Sequence, residues 1–472
     1  MDPHFDEDAL AVDDPRRDYD FADFMDSWRL RSIKDRRLPP FELGQQTSVR
    51  IGRPTRPVSK HDLASGVDIQ GIRWEVIGPL RGRATKARNI LHHSPASMTT
   101  EARDAKRQRR QGKHYQFRSF NPAHKAKVSH YQLRNVLGAT SRNEVFYATG
   151  SQVKRTSLAC PDLEQTVMDL SKPQSSNAGF RVTCLSASPR HTMQNQGILV
   201  AGGFFGEYAL CNVDSADNGA VSEGFVTHAY NGLVTHIHTY ANRRSGLPQA
   251  AFCSNDRMLR LMDVPSLRFT DEFAYEHAIN CASTSPDGRL RVLVGDSQET
   301  LITNAETGQT LVTLREHNDH GFACDWSPDG IHIATAAQDG GVLIWDARNW
   351  SKPCKSWASS TSCARSVQWT DSGTLVVAEN DDIVRVYDGA KGEQYQEINF
   401  FGSIAGVALV DGGEELVVAN ADKTVGGLLS FEMTPQGFGE SGAHGRQVEE
   451  IRGWGSVRGV EATSRIVADI VV

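Results

Sequence analysis

The stretch "AAQDGGVLIWDARN", residues 336–349, contains an Asp-Gly turn followed by an alternating apolar run that ends in Trp-Asp. Asp339 opens the turn and lies six residues before Trp345. A short run of β-branched and aromatic residues that follows a turn is typical of an antiparallel strand. One such strand cannot form a core by itself, so further copies are expected along the chain.

The six-residue spacing between a turn aspartate and a later apolar or aromatic residue recurs in other parts of the chain. Two turn signals of the type Ser-Pro-Asp-Gly, at 285–288 and 327–330, lie 42 residues apart, and related turns follow at 370–373 and 410–413. A period of about 40–45 residues built from short strands and turns indicates repeated antiparallel β units. The other copies of the six-residue spacing are Asp256 to Met262, Asp381 to Tyr387 and Asp422 to Leu428.

These units resemble the blades of the WD-repeat family, and the resemblance is carried by residues 327–330 and 331–346. It implies an all-β fold, a seven-bladed β-propeller. It also implies a blade-stabilising chain of hydrogen bonds, because buried polar groups at strand ends need partners. Only one copy has all four members of that chain, which are His317, Thr335, Asp339 and Trp345. In the other copies Met, Tyr or Leu replaces the tryptophan, and two copies lack the turn aspartate.

We place the propeller at 114–433. A ring of blades must close, because an open end would expose unpaired strand edges. The last unit lacks an outer strand, and "HYQFRSF" at 114–120 is predicted to supply it, with "SRIVADIVV" at 464–472 as the alternative. The tail at 434–472 is expected to pack on the propeller. The seven blades are predicted at 134–172, 179–226, 228–275, 276–316, 317–358, 360–401 and 402–433.

Residues 1–113 do not follow the repeat. Residues 1–26 contain ten acidic and two basic residues, whereas residues 27–113 contain seven acidic and twenty basic residues. With prolines at 39, 40, 54, 57 and 79 and few apolar clusters, most of this extension is predicted to be disordered. One apolar helical face stands out, and it is predicted either to dock on a partner or to pack on the chain's own propeller. Its residues are Phe21, Phe24, Met25 and Trp28.

Two further pieces of the extension are distinctive. The segment 68–88, with Ile72 and Trp74, is similar to the segment before the propeller in a group of fungal and plant WD-repeat proteins, and that resemblance implies no particular activity. The alternative is that Ile72 and Trp74 anchor the extension to a blade. A compact basic run resembles a nuclear import signal, with a solvated linker as the alternative. Its residues are Lys106, Arg107, Arg109, Arg110 and Lys113.

No catalytic pattern is present. The sequence has no GxSxG or HExxH motif, and its eight cysteines form no CxxC pair, so we expect no enzyme activity, no cofactor and no metal. His236 and His238 share one face of a strand and are expected to serve the blade structurally. The scattered cysteines and the lack of a long apolar run predict a soluble intracellular protein without membrane contact.

The resemblance and the missing catalytic pattern together predict a non-catalytic scaffold that binds proteins as a subunit or adaptor of a larger complex. The alternative is a chromatin- or RNA-associated factor that contacts phosphates non-specifically through the basic segment 101–113. We expect the protein in the nucleus and the cytoplasm. Binding residues are predicted in the loops that start the blades, at Tyr230, Asn318, Asp319, His320 and Ser362.

Overall fold

A computed structural model of the chain describes residues 20–32, 34–41, 51–92, 110–172, 179–188, 197–214, 221–359, 361–392 and 394–435. Short elements come first, and four-stranded antiparallel sheets follow. The elements before the sheets are helices α1 (Phe21–Ser32), α2 (Lys60–Ala64), α3 (Trp74–Ile77) and α4 (Arg81–His92), and strands β1 (Val58–Ser59), β2 (Arg110–Gln111) and β3 (Tyr115–Asn121). In the described residues no helix is long and apolar enough to span a membrane.

The first five blades are separate sheets, each with its strands in chain order from the inner to the outer edge. Their strands are β4 (Leu137–Ser141), β5 (Glu144–Thr149), β6 (Gln152–Thr156) and β7 (Gln165–Asp169) in blade 1; β8 (Val182–Ser188), β9 (Ile198–Gly203), β10 (Glu207–Asn212) and β11 (Ser222–Phe225) in blade 2; β12 (Val234–Ala241), β13 (Pro248–Ser254), β14 (Met258–Asp263) and β15 (Arg268–Ala274) in blade 3; β16 (Ile279–Thr284), β17 (Leu290–Gly295), β18 (Thr300–Asn304) and β19 (Thr310–Leu314) in blade 4; and β20 (Gly321–Trp326), β21 (His332–Ala337), β22 (Gly341–Asp346) and β23 (Lys355–Ala358) in blade 5.

Blades 6 and 7 share one long strand. β27 pairs with β26 over residues 395–399 and with β28 over residues 404–410, so its two halves are the outer strand of blade 6 and the inner strand of blade 7. The chain bends between the halves, where Gly402 has a φ of 121° that favours glycine. The strands involved are β24 (Ala364–Trp369), β25 (Leu375–Glu379), β26 (Asp381–Tyr387), β27 (Gln394–Val410), β28 (Glu415–Asn420) and β29 (Gly427–Met433).

The ring closes through the strand that precedes blade 1. β3 pairs with β29 in antiparallel register, and the rings of Phe117 and Phe431 meet edge to face at 5.9 Å. This confirms that residues 114–120 complete the last blade. The alternative segment 464–472 lies outside the described residues. The inner strands of consecutive blades contact one another all round the ring, including β27 and β4 across the closure, as expected for the seven-bladed propeller.

Alternating apolar side chains of neighbouring blades interdigitate to form the core. Cys281, Cys324, Ile333 and Trp345, for example, belong to one buried cluster between blades 4 and 5. All eight cysteines are free thiols, and five of them are buried, where cysteine packs as a small apolar residue.

Two stretches of the extension are folded. Residues 20–32 with 34–41, and 51–92, pack at the bend in β27, so the expectation of disorder does not hold for these ranges. The rings of Phe21 and Phe401 lie 5.0 Å apart, and the ring of Trp74 lies 5.6 Å from that of Phe401. The extension folds here because its few apolar side chains converge on one aromatic side chain of the propeller, which they bury. Ile72 and Trp74 therefore anchor the extension to blades 6 and 7.

The apolar face of α1 is intramolecular. Phe21, Phe24, Met25 and Trp28 are all buried, with exposed fractions of 3% or less. The prediction that these residues bind a partner is therefore wrong, and the alternative holds: the helix packs on its own propeller. Side chains that are already buried within the chain are not available to a partner. Asp422 accepts a hydrogen bond from the backbone N–H of Phe21 at 2.7 Å, which caps the first turn of the helix.

Candidate functional site

The four residues that the family resemblance singled out in blade 5 lie in one hydrogen-bonded chain. The Thr335 hydroxyl is central: it lies 2.9 Å from His317 Nε2 and accepts a hydrogen bond from Trp345 Nε1 at 3.1 Å. His317 Nδ1 lies 3.3 Å from the carboxylate of Asp339. The same carboxylate accepts backbone N–H bonds from Asn318 and Gly341. The chain joins two strands, the turn between them and the loop before the blade, so its role is structural.

Asp339 is expected to make the stability of the protein depend on pH. Burial would raise the pKa of Asp339, but hydrogen bonds from His317 and from the backbone of Asn318 and Gly341 lower it below its usual value. A carboxyl group with a depressed pKa contributes stability above its unfolded pKa of about 4, and that contribution is lost as the pH falls through the lower folded value. We expect Asp339→Asn to lower the free energy of unfolding by about 1–3 kcal/mol at pH 7.

Urea unfolding of both proteins from pH 7 to pH 3 tests this dependence. The difference between wild type and Asp339→Asn should shrink at the acid end, where the wild-type carboxylate becomes protonated. Asp319→Asn is the matched control, because Asp319 lies on the same loop and accepts only a local backbone bond from His320. A difference that stays constant over the whole range would contradict the argument.

The other predicted turn aspartates have different partners. Asp256 pairs with Arg260 at 3.0 Å, and Asp381 accepts a hydrogen bond from Ser403 at 2.6 Å. Asp422 caps α1 in addition to bonding the backbone of its own turn. Blades that lack the tryptophan thus contain arginine–carboxylate pairs. A further example is the pair between Arg385 and Glu379 in blade 6.

Side chains from the inner strands line a central channel with a cavity volume of about 370 Å³. His238 Nδ1 accepts the backbone N–H of Thr284 at 3.2 Å, and burial lowers the pKa of His238 to about 3, so the ring is neutral at pH 7. Burial raises the pKa of Asp325 to about 6, against hydrogen bonds from the Trp369 backbone and Ser283. Within the described ranges no three His, Cys, Asp or Glu side chains group as metal ligands.

One face of the ring holds the predicted binding residues. In a four-stranded antiparallel blade, the link to the next blade and the turn between the second and third strands lie at the same edge, which we call the loop face. Tyr230 is 97% exposed there, and Asn318 and His320 are exposed as well. The backbone of Ser362, by contrast, is fixed within the chain, since its N–H donates a hydrogen bond to the Glu379 carboxylate at 2.8 Å.

The predicted import residues are only partly described. Lys106, Arg107 and Arg109 lie outside the described residues. Arg110 begins β2, whose backbone pairs in parallel with β27, and Lys113 is exposed just before β3.

A group of aromatic and cationic side chains that the sequence did not indicate lies on the loop face of blades 1 and 2. We call it the aromatic rim, and it consists of His130, Tyr131, Arg181, Phe204 and Phe205. Ring centroids are 4.8 Å apart for His130 and Tyr131, 6.3 Å for His130 and Phe204, and 5.3 Å for Phe204 and Phe205. Tyr131 is 70% exposed and Phe205 46% exposed.

The rim is not evident from the sequence because its residues come from three separate loops. The one signal was Phe205, which stands where other blades have the turn aspartate. Glu207 takes over the role of that aspartate, because its carboxylate accepts the backbone N–H of Phe205 at 2.7 Å. The Phe205 side chain is thereby left on the surface.

Comparisons with known proteins agree with this geometry. The model of the WD domain, G-beta repeat, matches residues 308–346, which include the four-residue chain of blade 5. Mouse WD repeat-containing protein 1 is 28% identical over 97 residues, 20% of this chain and 16% of the relative. An uncharacterised protein of Schizosaccharomyces pombe is 24% identical over 180 residues, 37% of this chain and 50% of the relative. The chain thus matches at most half the length of these relatives.

Bovine serine-threonine kinase receptor-associated protein is 25% identical over 117 residues, 25% of this chain and 33% of the relative. A chain in the crystal structure of the mitotic checkpoint complex superposes with a TM-score of 0.53 at 15% identity, covering 72% of this chain and 96% of that one. At that identity the superposition shows the fold alone. This chain therefore contains a matched WD repeat, is similar to WD-repeat proteins over parts of its length, and has the β-propeller fold.

Proposed function

We propose that the protein is a non-catalytic scaffold that binds other proteins through its loop face, as a subunit or adaptor of a larger complex. The observation that carries the proposal is the set of exposed aromatic side chains on the loops there. Tyr230 is 97% exposed, Tyr131 70% and Phe205 46%. Large aromatic side chains in contact with water are characteristic of binding surfaces, because their burial contributes strongly to association.

The scaffold on which these side chains stand supports the same proposal. Loops anchored at both ends by paired strands lose little conformational freedom on binding, which favours recognition over a rigid surface. Two of the similar proteins carry names that refer to assemblies, namely a receptor-associated protein and a chain of the mitotic checkpoint complex. The partner of this chain is proposed to be a protein on these grounds.

Affinity purification of the tagged full-length chain tests the proposal. Proteins that co-purify stoichiometrically with wild type should be lost from a variant with Tyr131→Ala, Phe205→Ala and Tyr230→Ala. Leu311→Ala is the matched control, since Leu311 is 50% exposed but lies on the outer strand of blade 4. A wild-type preparation without any stoichiometric partner, or partners retained by the triple variant, would count against the proposal.

We further propose that the protein reaches both nucleus and cytoplasm, with the basic run at 106–113 as the import signal. A fluorescent fusion in which its five basic residues are replaced by alanine should be depleted from the nucleus. Unchanged distribution would refute the signal.

A further inference from the structure

We propose that Cys281 and Cys324 form an oxidisable dithiol in the wall of the central channel, in which a hydroperoxide oxidises Cys281 and a disulfide with Cys324 then joins blades 4 and 5. Both residues stand on inner strands, Cys281 on β16 and Cys324 on β20, and both line the channel cavity. This modification site is separate from the loop-face binding function, and its test does not require a partner.

The two thiols face each other across the interface between blades 4 and 5. Cys281 Sγ in blade 4 donates to the carbonyl oxygen of Cys324 in blade 5 at 3.6 Å. Cys324 Sγ in blade 5 donates to the carbonyl oxygen of Val292 in blade 4 at 3.7 Å. Each sulfur thus reaches the backbone of the opposite blade, and both side chains belong to one buried cluster. A disulfide needs this arrangement, because cysteines whose side chains point apart cannot be joined without moving the backbone.

The two thiols differ in acidity. Hydrogen bonds with the Cys324 thiol and with the His236 ring outweigh burial and hold the pKa of Cys281 well below its usual value. Burial raises the pKa of Cys324 well above its usual value, so this thiol keeps its proton. His236 stands on β12 of blade 3, and its Nδ1 lies 3.5 Å from the backbone nitrogen of Ala282, the neighbour of Cys281. Because the thiolate is the form that attacks an electrophile, Cys281 is the attacking residue of the pair.

The channel gives a small oxidant room to reach the sulfur atoms. Its cavity of about 370 Å³ far exceeds the roughly 15 Å³ that one water molecule needs, and hydrogen peroxide is only slightly larger than water. Asp325 also lines the channel, and its carboxylate accepts hydrogen bonds from the Ser283 hydroxyl and the Trp369 backbone. These donors partly offset the negative charge that Asp325 places near a Cys281 thiolate.

The reaction consumes one peroxide and joins the two sulfur atoms. The Cys281 thiolate attacks one oxygen of hydrogen peroxide, the O–O bond breaks, and a Cys281 sulfenic acid forms with hydroxide as the leaving group. The Cys324 sulfur then attacks the sulfenic sulfur, an S–S bond forms, and the sulfenic hydroxyl leaves as water with the thiol proton of Cys324. The two sulfur atoms together lose two electrons, and the peroxide oxygens gain them.

Peptide mapping of the reduced full chain after treatment with hydrogen peroxide tests the proposal. Remaining thiols are blocked with N-ethylmaleimide, and mass spectrometry without reduction identifies linked peptides. We expect a linked pair that contains Cys281 and Cys324, formed about tenfold or more faster than Cys211 or Cys160 is oxidised. Those two residues are the matched internal controls, because burial raises the pKa of Cys211 to about 12 and Cys160 is an exposed thiol.

Variants separate the two steps. Cys324→Ser should prevent the disulfide and leave Cys281 as a sulfenic acid that dimedone labels, whereas Cys281→Ser should leave Cys324 unoxidised. His236→Gln should slow the oxidation of Cys281 by about tenfold, because it removes the ring that favours the thiolate. His320→Gln is the matched control, since His320 is exposed on the loop face, and it should be oxidised as wild type is. Thermal melting checks that each variant is folded.

The wild-type map decides the proposal even if a variant fails to fold. No linked pair while Cys160 is oxidised, oxidation of Cys281 no faster than that of Cys211, or linkage of Cys281 to a cysteine other than Cys324 would overturn it. A folded His236→Gln chain that is oxidised at the wild-type rate would overturn the role given to His236.

Discussion

Trp345→Ala is expected to lower the free energy of unfolding by about 3–5 kcal/mol, the cost typical of removing a large buried aromatic side chain. The Trp345 side chain is 1% exposed and packs in the buried cluster between blades 4 and 5. Its indole N–H also donates to Thr335, so the substitution leaves that hydroxyl with one partner fewer. The cavity and the lost bond act in the same direction.

Urea unfolding followed by circular dichroism measures this loss. Trp345→Phe helps to separate the two contributions, because it removes the hydrogen bond but keeps much of the ring volume, and we expect it to cost about 1–2 kcal/mol. Trp350→Ala serves as a second control, since Trp350 is only partly buried at the edge of the same cluster. A loss below about 1 kcal/mol for Trp345→Ala would show that the blade relaxes around the gap.

Arg88→Ala is the other substitution with a large expected effect, about 3–5 kcal/mol, because it leaves a buried charge without its partner. Arg88 of α4 and Asp382 of blade 6 form an ion pair in which the two side chains are 1% and 6% exposed. The guanidinium also lies 5.2 Å from the ring centroid of Phe24 in α1. Burial disfavours the charged guanidinium, yet the carboxylates of Asp382 and Asp381 keep the pKa of Arg88 above its usual value.

The double variant Arg88→Met with Asp382→Asn separates the pair from the packing around it. It should recover much of the stability lost in Arg88→Ala, since neither side chain then carries a buried charge. Limited proteolysis of Arg88→Ala should also cut between residues 51 and 92 sooner than in wild type, because this pair attaches α4 to the propeller. A double variant no more stable than Arg88→Ala would contradict the electrostatic account.

Much of the propeller follows from the local sequence. The turn at Asp339, the apolar run to Trp345 and the period between the Ser-Pro-Asp-Gly turns predicted the blade bounds, because antiparallel strands with short turns are specified by neighbouring residues. The strand at 114–120 was predicted from closure of the ring, since a missing edge needs a partner.

The local sequence did not predict where α1 packs or which side chains form the aromatic rim. The spacing of Phe21, Phe24 and Trp28 specified an apolar helical face, but it left open whether a partner or the chain's own propeller would cover it. Phe401 at the bend of β27 decided the matter, from a position far away along the sequence.

The sequence by itself thus determined the repeat and the strands of the blades, since those depend on short-range pattern. Only the tertiary structure decided that Asp382 pairs with Arg88 and that His130, Arg181 and Phe204 meet on one face. Contacts between segments so far apart depend on where the closed ring places its loops, and no local pattern of residues encodes that placement.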